Sequence, residues 1–191
     1  ERYRPPAGRD SGRFVVGYAG RLDPEKGVDM LIEACAPLTD VEVRIAGAGP
    51  ERARLMALAE RLGMSGRTAF LGSLETAAMV AFYQGLNALV LPSRSRPNWV
   101  EQFGRVLIEA MACGVPVLGS RTGEIPNVIG DAGALFPEGD IGALSDALRT
   151  LLISPDAAHA IGLRGRERAV TQFSMRRIAH ETLQVYRAML G

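Results

Sequence analysis

Short, unbroken apolar runs alternate with helical patterns along most of this chain, and this alternation restricts its fold more than any other feature. Strands are predicted at 14–19, 41–46, 68–71, 88–91, 115–118 and 134–136. Helices are predicted at 28–35, 51–62, 76–84, 104–112, 142–152, 155–172 and 174–190. Strands that are apolar throughout are typical of parallel sheets covered by helices on both faces. The sequence therefore predicts an α/β fold, a Rossmann-like doubly wound domain with a parallel sheet of about six strands and a helical C-terminus.

The organisation along the chain divides it into three parts. Residues 1–13 are polar and aperiodic, which predicts a linker or leader. Residues 14–173 form the predicted Rossmann-like domain, and residues 174–191 form a C-terminal helix. The chain of 191 residues is long enough for one domain with a sizeable core. Its first residue is Glu1 rather than methionine, so we expect a partner domain outside this sequence.

Charge and hydropathy exclude some classes of partner. The formal net charge is +1, so no bulk attraction to nucleic acid is expected. No apolar run reaches the about 18 residues of a membrane-spanning helix, and no signal peptide is recognised, which indicates a cytoplasmic protein. The basic tracts at 164–168 and 176–177 are interpreted as solvated helix faces. The alternative is peripheral contact of these tracts with the inner face of a membrane.

Cysteine and histidine form no pattern that would bind a metal. Cys35 and Cys113 lie in apolar runs and are predicted to be reduced core thiols. His159 and His180 are predicted to lie on helix surfaces. No group of histidines, cysteines or carboxylates has metal-ligand spacing, and no Asp-x-Asp occurs, so no metal or other cofactor is expected.

The first loop after a predicted strand carries two cations, Arg21 and Lys26. Ligands of such sheets bind at the carboxyl ends of the strands, where this loop lies. Arginine, lysine and the free amides of a helix start together suit a diphosphate. The alternative is that Lys26 forms a surface pair with Glu25 or Asp23.

The second loop, Gly47-Ala48-Gly49, has the start of a dinucleotide-binding fingerprint. Arg52 stands at the position of the third glycine, where a large side chain prevents close packing of helix and strand. We therefore predict a tight turn here and no NAD site.

Two carboxylates flank the start of the helix predicted at 104–112. Glu109 lies roughly 7.5 Å along that helix among apolar neighbours, so its charge needs donors. A ribose diol would supply two, whereas the alternative is a salt bridge to Arg105, one turn earlier. Glu101 precedes the helix, and the alternative to a functional role for it is that of a solvated loop residue. Together with Gly104 between them, they suggest a diphosphate site with a nucleoside on one side and a sugar on the other.

This segment, EQFGRVLIEAMACGVPV, resembles the Glu, seven residues, Glu motif of the retaining "group one" glycosyltransferases. The resemblance is to their C-terminal domain, the donor-binding half of the GT-B fold, and covers nearly the whole chain from Phe14 onward. Supporting stretches are GRLDPEKG, FLGSL, LPS and GEIPNVIGDAGALF.

The resemblance implies roles for the charged residues. Arg21 and Lys26 match the pair that binds the donor diphosphate. Glu109 matches the carboxylate on the ribose hydroxyls, and Glu101 matches the residue beside the transferred sugar. Glu101, Arg21 and Lys26 are therefore expected to contribute to catalysis.

The resemblance also implies roles for five donor-binding residues of the loops. Phe103 and Gly104 match positions with backbone contacts near the sugar. Leu71, Gly72 and Ser73 match the loop that contacts the edge of the nucleobase.

Two departures from the family pattern are visible. Gln102 stands where many members have glycine, so the contact to the sugar is expected to differ. The loop Ser-Arg-Thr-Gly-Glu-Ile-Pro replaces a common Gly-Gly-x-Pro-Glu, so no functional role is assigned to Gly123 or Glu124. Trp99 either lines the donor pocket or packs beneath its loop.

The implied activity is transfer of a sugar, with retention, from a nucleoside-diphosphate sugar to the hydroxyl of an acceptor bound by an N-terminal domain. The isolated chain is then expected to be inactive. Alternatives are a nucleotide-sugar epimerase of the same fold and a non-catalytic nucleotide-sugar-binding module. In the family the last helix crosses to the other domain. Its apolar face, formed by Ile178, Leu183, Tyr186 and Leu190, offers a homodimer contact as the alternative.

Overall fold

The computed structural model describes residues 3–5 and 12–190. The strands are β1 (Phe14–Ala19), β2 (Val41–Ala46), β3 (Thr68–Gly72), β4 (Ala88–Leu91), β5 (Val117–Ser120) and β6 (Ala134–Phe136). The helices are α1 (Val28–Cys35), α2 (Arg52–Arg61), α3 (Thr76–Gln84), α4 (Arg105–Ala112), α5 (Ile125–Ile129), α6 (Ile141–Ile153), α7 (Pro155–Gln172) and α8 (Met175–Leu190). Most of the predicted 1–13 linker lies outside the described residues.

The six strands form one parallel sheet in the order β3-β2-β1-β4-β5-β6. From β1 the chain adds β2 and β3 on one side of the sheet, and it then adds β4, β5 and β6 on the other side of β1. Helix α1 contacts α2 and α6, while α4 contacts α3, α5 and α7. This is the predicted doubly wound, Rossmann-like α/β domain, and its switch point lies between β1 and β4.

The strands at this switch point are buried, which explains their unbroken apolar sequences. All four residues of β4 and all four of β5 are buried, as are five of the six residues of β1. Aliphatic side chains dominate the core, with Tyr18 and Tyr83 as its largest fully buried members. The hydroxyl group of Tyr18 reaches the loop after β1, where it donates to the carbonyl of Arg21 at 2.7 Å.

Two local features differ from the sequence prediction. The fifth strand begins at Val117 rather than at residue 115. Pro116 has no N–H to donate, so it only accepts a bond, from the amide of Leu89 at 2.9 Å. The sequence analysis also missed α5, a helix of five residues that begins with Ile125 and Pro126 after the loop at 120–124.

The basic tract at 164–168 is partly structural rather than a wholly solvated face. Arg166 donates to the carbonyl of Ala112 at the end of α4. Arg168 donates to the carbonyls of Val128 at 2.9 Å and Asn127 at 2.7 Å, near the end of α5. Both guanidinium groups therefore satisfy carbonyls at helix C-termini.

The apolar face of α8 is exposed. Ile178, Leu183 and Tyr186 are 43%, 46% and 60% exposed, and the side chain of Leu190 lies outside the described part. Within residues 3–5 and 12–190, no helix combines the length and apolarity that crossing a bilayer requires.

The Gly47-Ala48-Gly49 segment is where two loops cross. Gly47 has a φ of 153°, and a Cβ added to it would overlap the carbonyl oxygen of Gly20. A Cβ on Gly49 would lie 2.5 Å from the carbonyl oxygen of Leu22. These glycines let the loop after β2 cross the loop after β1, which gives the Gly-x-Gly spacing a packing role. The turn itself lies slightly later than predicted, where the amide of Arg52 donates to the carbonyl of Gly49 at 3.3 Å.

We expect Gly47→Ala to lower the free energy of unfolding by more than about 3 kcal/mol, because it combines an unfavourable φ with a backbone clash. Gly63→Ala is the matched control, since Gly63 also has a positive φ, 66°, but open space around it. The control should cost only about 1 to 2 kcal/mol. Urea denaturation of both variants measures the difference, and equal losses would contradict the crossing as the cause.

Candidate functional site

A cleft of about 350 Å³ opens at the carboxyl ends of the strands beside the switch point. Gly20 and Gly47 contribute its backbone walls, where the loops after β1 and β2 cross. Arg21, Arg105 and Glu109 are its charged lining residues. This is where ligands of doubly wound sheets bind.

Glu109 lies in this cleft with a donor on each carboxylate oxygen. The hydroxyl of Tyr83 donates to Oε2 at 2.8 Å, and Arg105 Nε lies 3.3 Å from Oε1. The side chain of Glu109 is 17% exposed. The predicted salt bridge to Arg105 therefore exists, but it leaves Glu109 accessible from the cleft rather than sealed in the core.

The sequence analysis missed Tyr83, the most buried member of this group. It lies in α3 and is fully buried, and it also forms part of the wall of the cleft. Burial, and then the negative charge of Glu109, raise the pKa of Tyr83 well above its usual value. The phenol therefore carries its proton, and is a hydrogen-bond donor, at neutral pH.

Glu101 is paired rather than solvated. Its Oε2 lies 2.8 Å from Lys26 Nζ and accepts a bond from the Ser93 hydroxyl at 3.1 Å. The Glu101 and Lys26 side chains are only 12% and 18% exposed. The Lys26 ammonium also lies 4.5 Å from the centroid of the Trp99 ring, a cation–π contact. Trp99 thus packs against a predicted phosphate ligand.

Arg21 and Lys26 occupy different parts of the site. Arg21 lines the cleft, is 79% exposed and pairs with Asp23 through an Nε–Oδ2 distance of 2.9 Å. Lys26 is not among the residues that line the cleft and pairs with Glu101 across the switch point. Neither surface pair proposed for Lys26, with Glu25 or with Asp23, is formed.

Helix α4 begins at the edge of the cleft. Gly104 precedes it with a φ of 72°, and its carbonyl accepts the amide of Leu107 at 2.9 Å. A Cβ on Gly104 would lie 3.0 Å from side-chain carbons of Leu107 and Leu91, so the position suits glycine. Phe103 is 46% exposed, and its ring lies edge-on to Phe173 with centroids 6.1 Å apart.

The loop after β3 lies on another side of the cleft. Ser73 lines the cleft, as do Leu74 and Thr76, which the sequence analysis did not select. Leu71 and Gly72 are not lining residues: Leu71 is 43% exposed, and the Gly72 carbonyl accepts the Gly47 amide at 2.7 Å. The predicted nucleobase loop is therefore present at the cleft, but one to two residues further along.

The backbone of Glu101 is held by the loop before α5. The amide of Glu124 donates to the carbonyl of Glu101 at 2.9 Å, and a Cβ on Gly123 would overlap the same carbonyl oxygen. The hydroxyl of Ser120 donates to the Ser93 carbonyl at 2.6 Å. Gly123 and Glu124, to which sequence comparison with the family gave no role, therefore position the segment that carries Glu101.

The cysteines and histidines lie away from these contacts. Cys35 and Cys113 are buried free thiols, and burial raises the pKa of Cys35 to about 12 and that of Cys113 to about 11. His159 and His180 are exposed. Both predictions are confirmed. In the described part of the chain, no cluster of three or more His, Cys, Asp or Glu side chains is arranged to hold a metal ion.

Comparison with known proteins adds the family. The family model described as "Glycosyl transferases group 1" matches residues 1–168. The chain is 36% identical over 157 residues to a D-inositol 3-phosphate glycosyltransferase of Mycobacterium sp. (strain KMS), covering 78% of this chain and 34% of that protein.

Two solved structures share the fold over nearly the whole chain. Sucrose-phosphate synthase from Thermosynechococcus elongatus has a TM-score of 0.87 and 30% identity, covering 99% of this chain and 50% of that one. The HepE protein of Anabaena, solved in complex with UDP and glucose, has a TM-score of 0.85 and 25% identity, covering 93% and 49%. The chain therefore spans between a third and a half of the length of these relatives.

The buried phenols predict how stability depends on alkaline pH. Burial is also the main cause that raises the pKa of Tyr18, followed by the charge of Glu101. The folded protein keeps both protons, while the unfolded chain releases them near pH 10. The free energy of unfolding should therefore fall above about pH 10, by up to about 1.4 kcal/mol per pH unit for each phenol. This decline adds to the one that the buried thiols of Cys35 and Cys113 cause from about pH 8.5 upward, because their pKa values are raised as well.

Tyr83→Phe should make this alkaline decline less steep, because it removes one of the two phenol protons. Tyr186 is exposed on α8, so Tyr186→Phe is the control and should leave the steepness as in the wild type. Urea titrations at several values between pH 9 and 11 provide the measurement. An unchanged slope in Tyr83→Phe would show that the phenol of Tyr83 is not held protonated by the fold.

Proposed function

Because the chain belongs to the family of glycosyl transferases group 1, we propose that it forms the donor-binding part of a retaining glycosyltransferase. Its substrate is a nucleoside-diphosphate sugar, whose sugar moves to an acceptor hydroxyl. The observation that carries the proposal is the position of Glu109 in the cleft, held by Tyr83, with Arg21 and the start of α4 around it.

The nucleoside fits the part of the cleft that contains Glu109. A carboxylate has acceptor sites for more than one donor, so Glu109 can keep the bond from Tyr83 and accept two ribose hydroxyls. Ser73 and Leu74 line the same cleft and are placed to contact the nucleobase. The buried Tyr83 fixes the orientation of the carboxylate before the ribose arrives, which lowers the entropy cost of binding.

The diphosphate fits between Arg21 and the start of α4. Arg21 presents an exposed guanidinium to the cleft, and the first amides of α4 lack partners within the helix. Lys26 lies next to Glu101, on the side away from the nucleoside. These cations and amides supply the positive charge that a leaving diphosphate needs, and we propose that they do so without a metal ion.

Glu101 is proposed to lie beside the transferred sugar. It shares Oε2 with both Lys26 and Ser93, so its second oxygen, Oε1, has no partner among the described contacts and can accept a sugar hydroxyl. We place Lys26 between the sugar and the diphosphate. Its ammonium contacts Glu101, and the Trp99 ring holds the ammonium in this position. Negative charge that develops on the leaving diphosphate would therefore change the electrostatic interaction between Lys26 and Glu101.

The acceptor is proposed to bind a second domain, because the chain covers only 34% to 50% of the relatives reported above. The exposed apolar face of α8 is proposed to contact that domain, with a homodimer as the alternative outcome. Cytoplasmic location and peripheral contact with a membrane stay predictions. Two of the relatives reported above are named as a glycosyltransferase and a synthase, and none is named as an epimerase, so nothing favours the epimerase alternative.

We expect Glu109→Ala to weaken binding of both a nucleoside and its diphosphate, because both carry the ribose. Arg21→Ala should weaken binding of the nucleoside diphosphate by roughly ten- to a hundred-fold and leave the affinity for the nucleoside unchanged. A thermal-shift panel of UDP-, GDP- and ADP-sugars identifies the base, and calorimetry with the matching nucleoside and nucleotide then gives the affinities. Glu60→Ala, an exposed carboxylate of α2, is the control. Absence of binding by any nucleotide would contradict the proposed function.

The 191-residue chain on its own should bind the donor but transfer no sugar, because the acceptor site is proposed to lie outside it. Its turnover, measured with radiolabelled donor, should be undetectable where the full-length protein is active. Transfer at the full-length rate would contradict the two-domain proposal. Release of an epimerised sugar without acceptor would instead support the epimerase.

A further inference from the structure

The three cations near the cleft are each paired with a carboxylate: Arg21 with Asp23, Lys26 with Glu101, and Arg105 with Glu109. Only the last pair joins a cation to the carboxylate proposed to bind ribose. We propose that Arg105 is a further ligand of the donor diphosphate, released from Glu109 when the ribose binds. This inference rests on the proposed function and deepens it.

The two donors to Glu109 differ in how firmly they are held. Tyr83 is fully buried in α3, so its hydroxyl has no other place to go. The Arg105 side chain is 82% exposed, and its contact with Oε1 is the longer of the two, 3.3 Å against 2.8 Å. Exposed i,i+4 pairs of this kind contribute little stability. Tyr83 is thus a permanent partner of Glu109, and Arg105 is an exchangeable one.

The ribose and Arg105 compete for the same side of the carboxylate. Tyr83 reaches Oε2 as a buried side chain, whereas Arg105 contacts Oε1 as an exposed one that lines the cleft. Each carboxylate oxygen keeps a further acceptor site, but a diol that enters from the cleft meets the position that Arg105 now holds. A bound ribose therefore displaces the guanidinium. The released guanidinium is exposed and lines the cleft, so it is available to an anion that binds there.

The diphosphate is the partner within reach. Arg105 is the first residue of α4, directly after Gly104, so its side chain starts from the helix end where we place the diphosphate. Glu109 lies four residues further along, about 6 Å away on the helix axis at 1.5 Å per residue. A rotation about the side-chain bonds of an exposed arginine is fast and meets no packing barrier. An arginine that moves toward the phosphates offers them a fork of two N–H donors.

The exchange couples the two ends of the donor. A nucleoside has to break the Arg105–Glu109 pair and gives the arginine nothing in return. A nucleoside diphosphate breaks the same pair but supplies a stronger partner. Arg105 therefore favours the diphosphate over the nucleoside, beyond the contribution of Arg21, and contributes to selection of the intact nucleotide.

The test compares uridine and UDP binding by calorimetry in the full-length protein, or guanosine and GDP if the thermal-shift panel selects guanine. In Arg105→Gln we expect UDP to bind roughly tenfold more weakly, while uridine binds as well as to the wild type or better. Arg149→Gln removes an equal charge from an exposed pair on α6 and should change neither affinity. Unchanged melting temperatures show that the variants fold.

Two outcomes would overturn the proposal. An equal loss for uridine and UDP would mean that Arg105 only orients Glu109, and no loss for either would mean that the pair has no part in binding. Failure of the wild type to bind UDP, GDP or ADP would instead contradict the proposed function, before Arg105 is considered. Arg105→Lys should recover part of the UDP affinity, since it keeps the charge without the fork.

Discussion

The pairing of β1 with β4 is the constraint on which the site depends. It places the loop after β1 beside the loop after β4, and the amide of Arg94 donates to the carbonyl of Glu25 at 2.7 Å between them. Lys26 and Glu101 are 75 positions apart in sequence and meet at 2.8 Å only because of this neighbourhood. No local sequence preference would bring them together, so their contact depends on the parallel sheet order.

The elements were predictable where the local pattern and the tertiary environment agree. The predicted bounds of β1, α1, β2 and α3 match the structure, because their apolar periodicity is the same feature that buries them. The start of β5 was misplaced because the prediction followed the apolar run and gave no weight to Pro116 within it, which has no N–H to donate. The short helix α5 was missed because five residues are too few to show a helical period.

The site was predictable in its charged residues and not in their partners. Glu101 and Glu109 were selected for their positions around a helix start. The role of Tyr83 escaped, because a tyrosine within an apolar helical pattern is indistinguishable from an ordinary core residue until its hydroxyl is seen to face a carboxylate. The alternative weighed for Glu109, a pair with Arg105, proved compatible with an accessible carboxylate. Sequence spacing indicates that two residues can touch, but not how exposed their contact is.

Trp99, finally, is the only tryptophan in this sequence, and its ring lies 4.5 Å from the Lys26 ammonium. Indole emission responds to the charges around the ring, and here these include Lys26, which is paired with Glu101. The chain thus contains an intrinsic fluorophore at the end of the candidate site that Lys26 and Glu101 form. Occupancy of that end is open to observation by light, with no label attached and no residue of the site replaced.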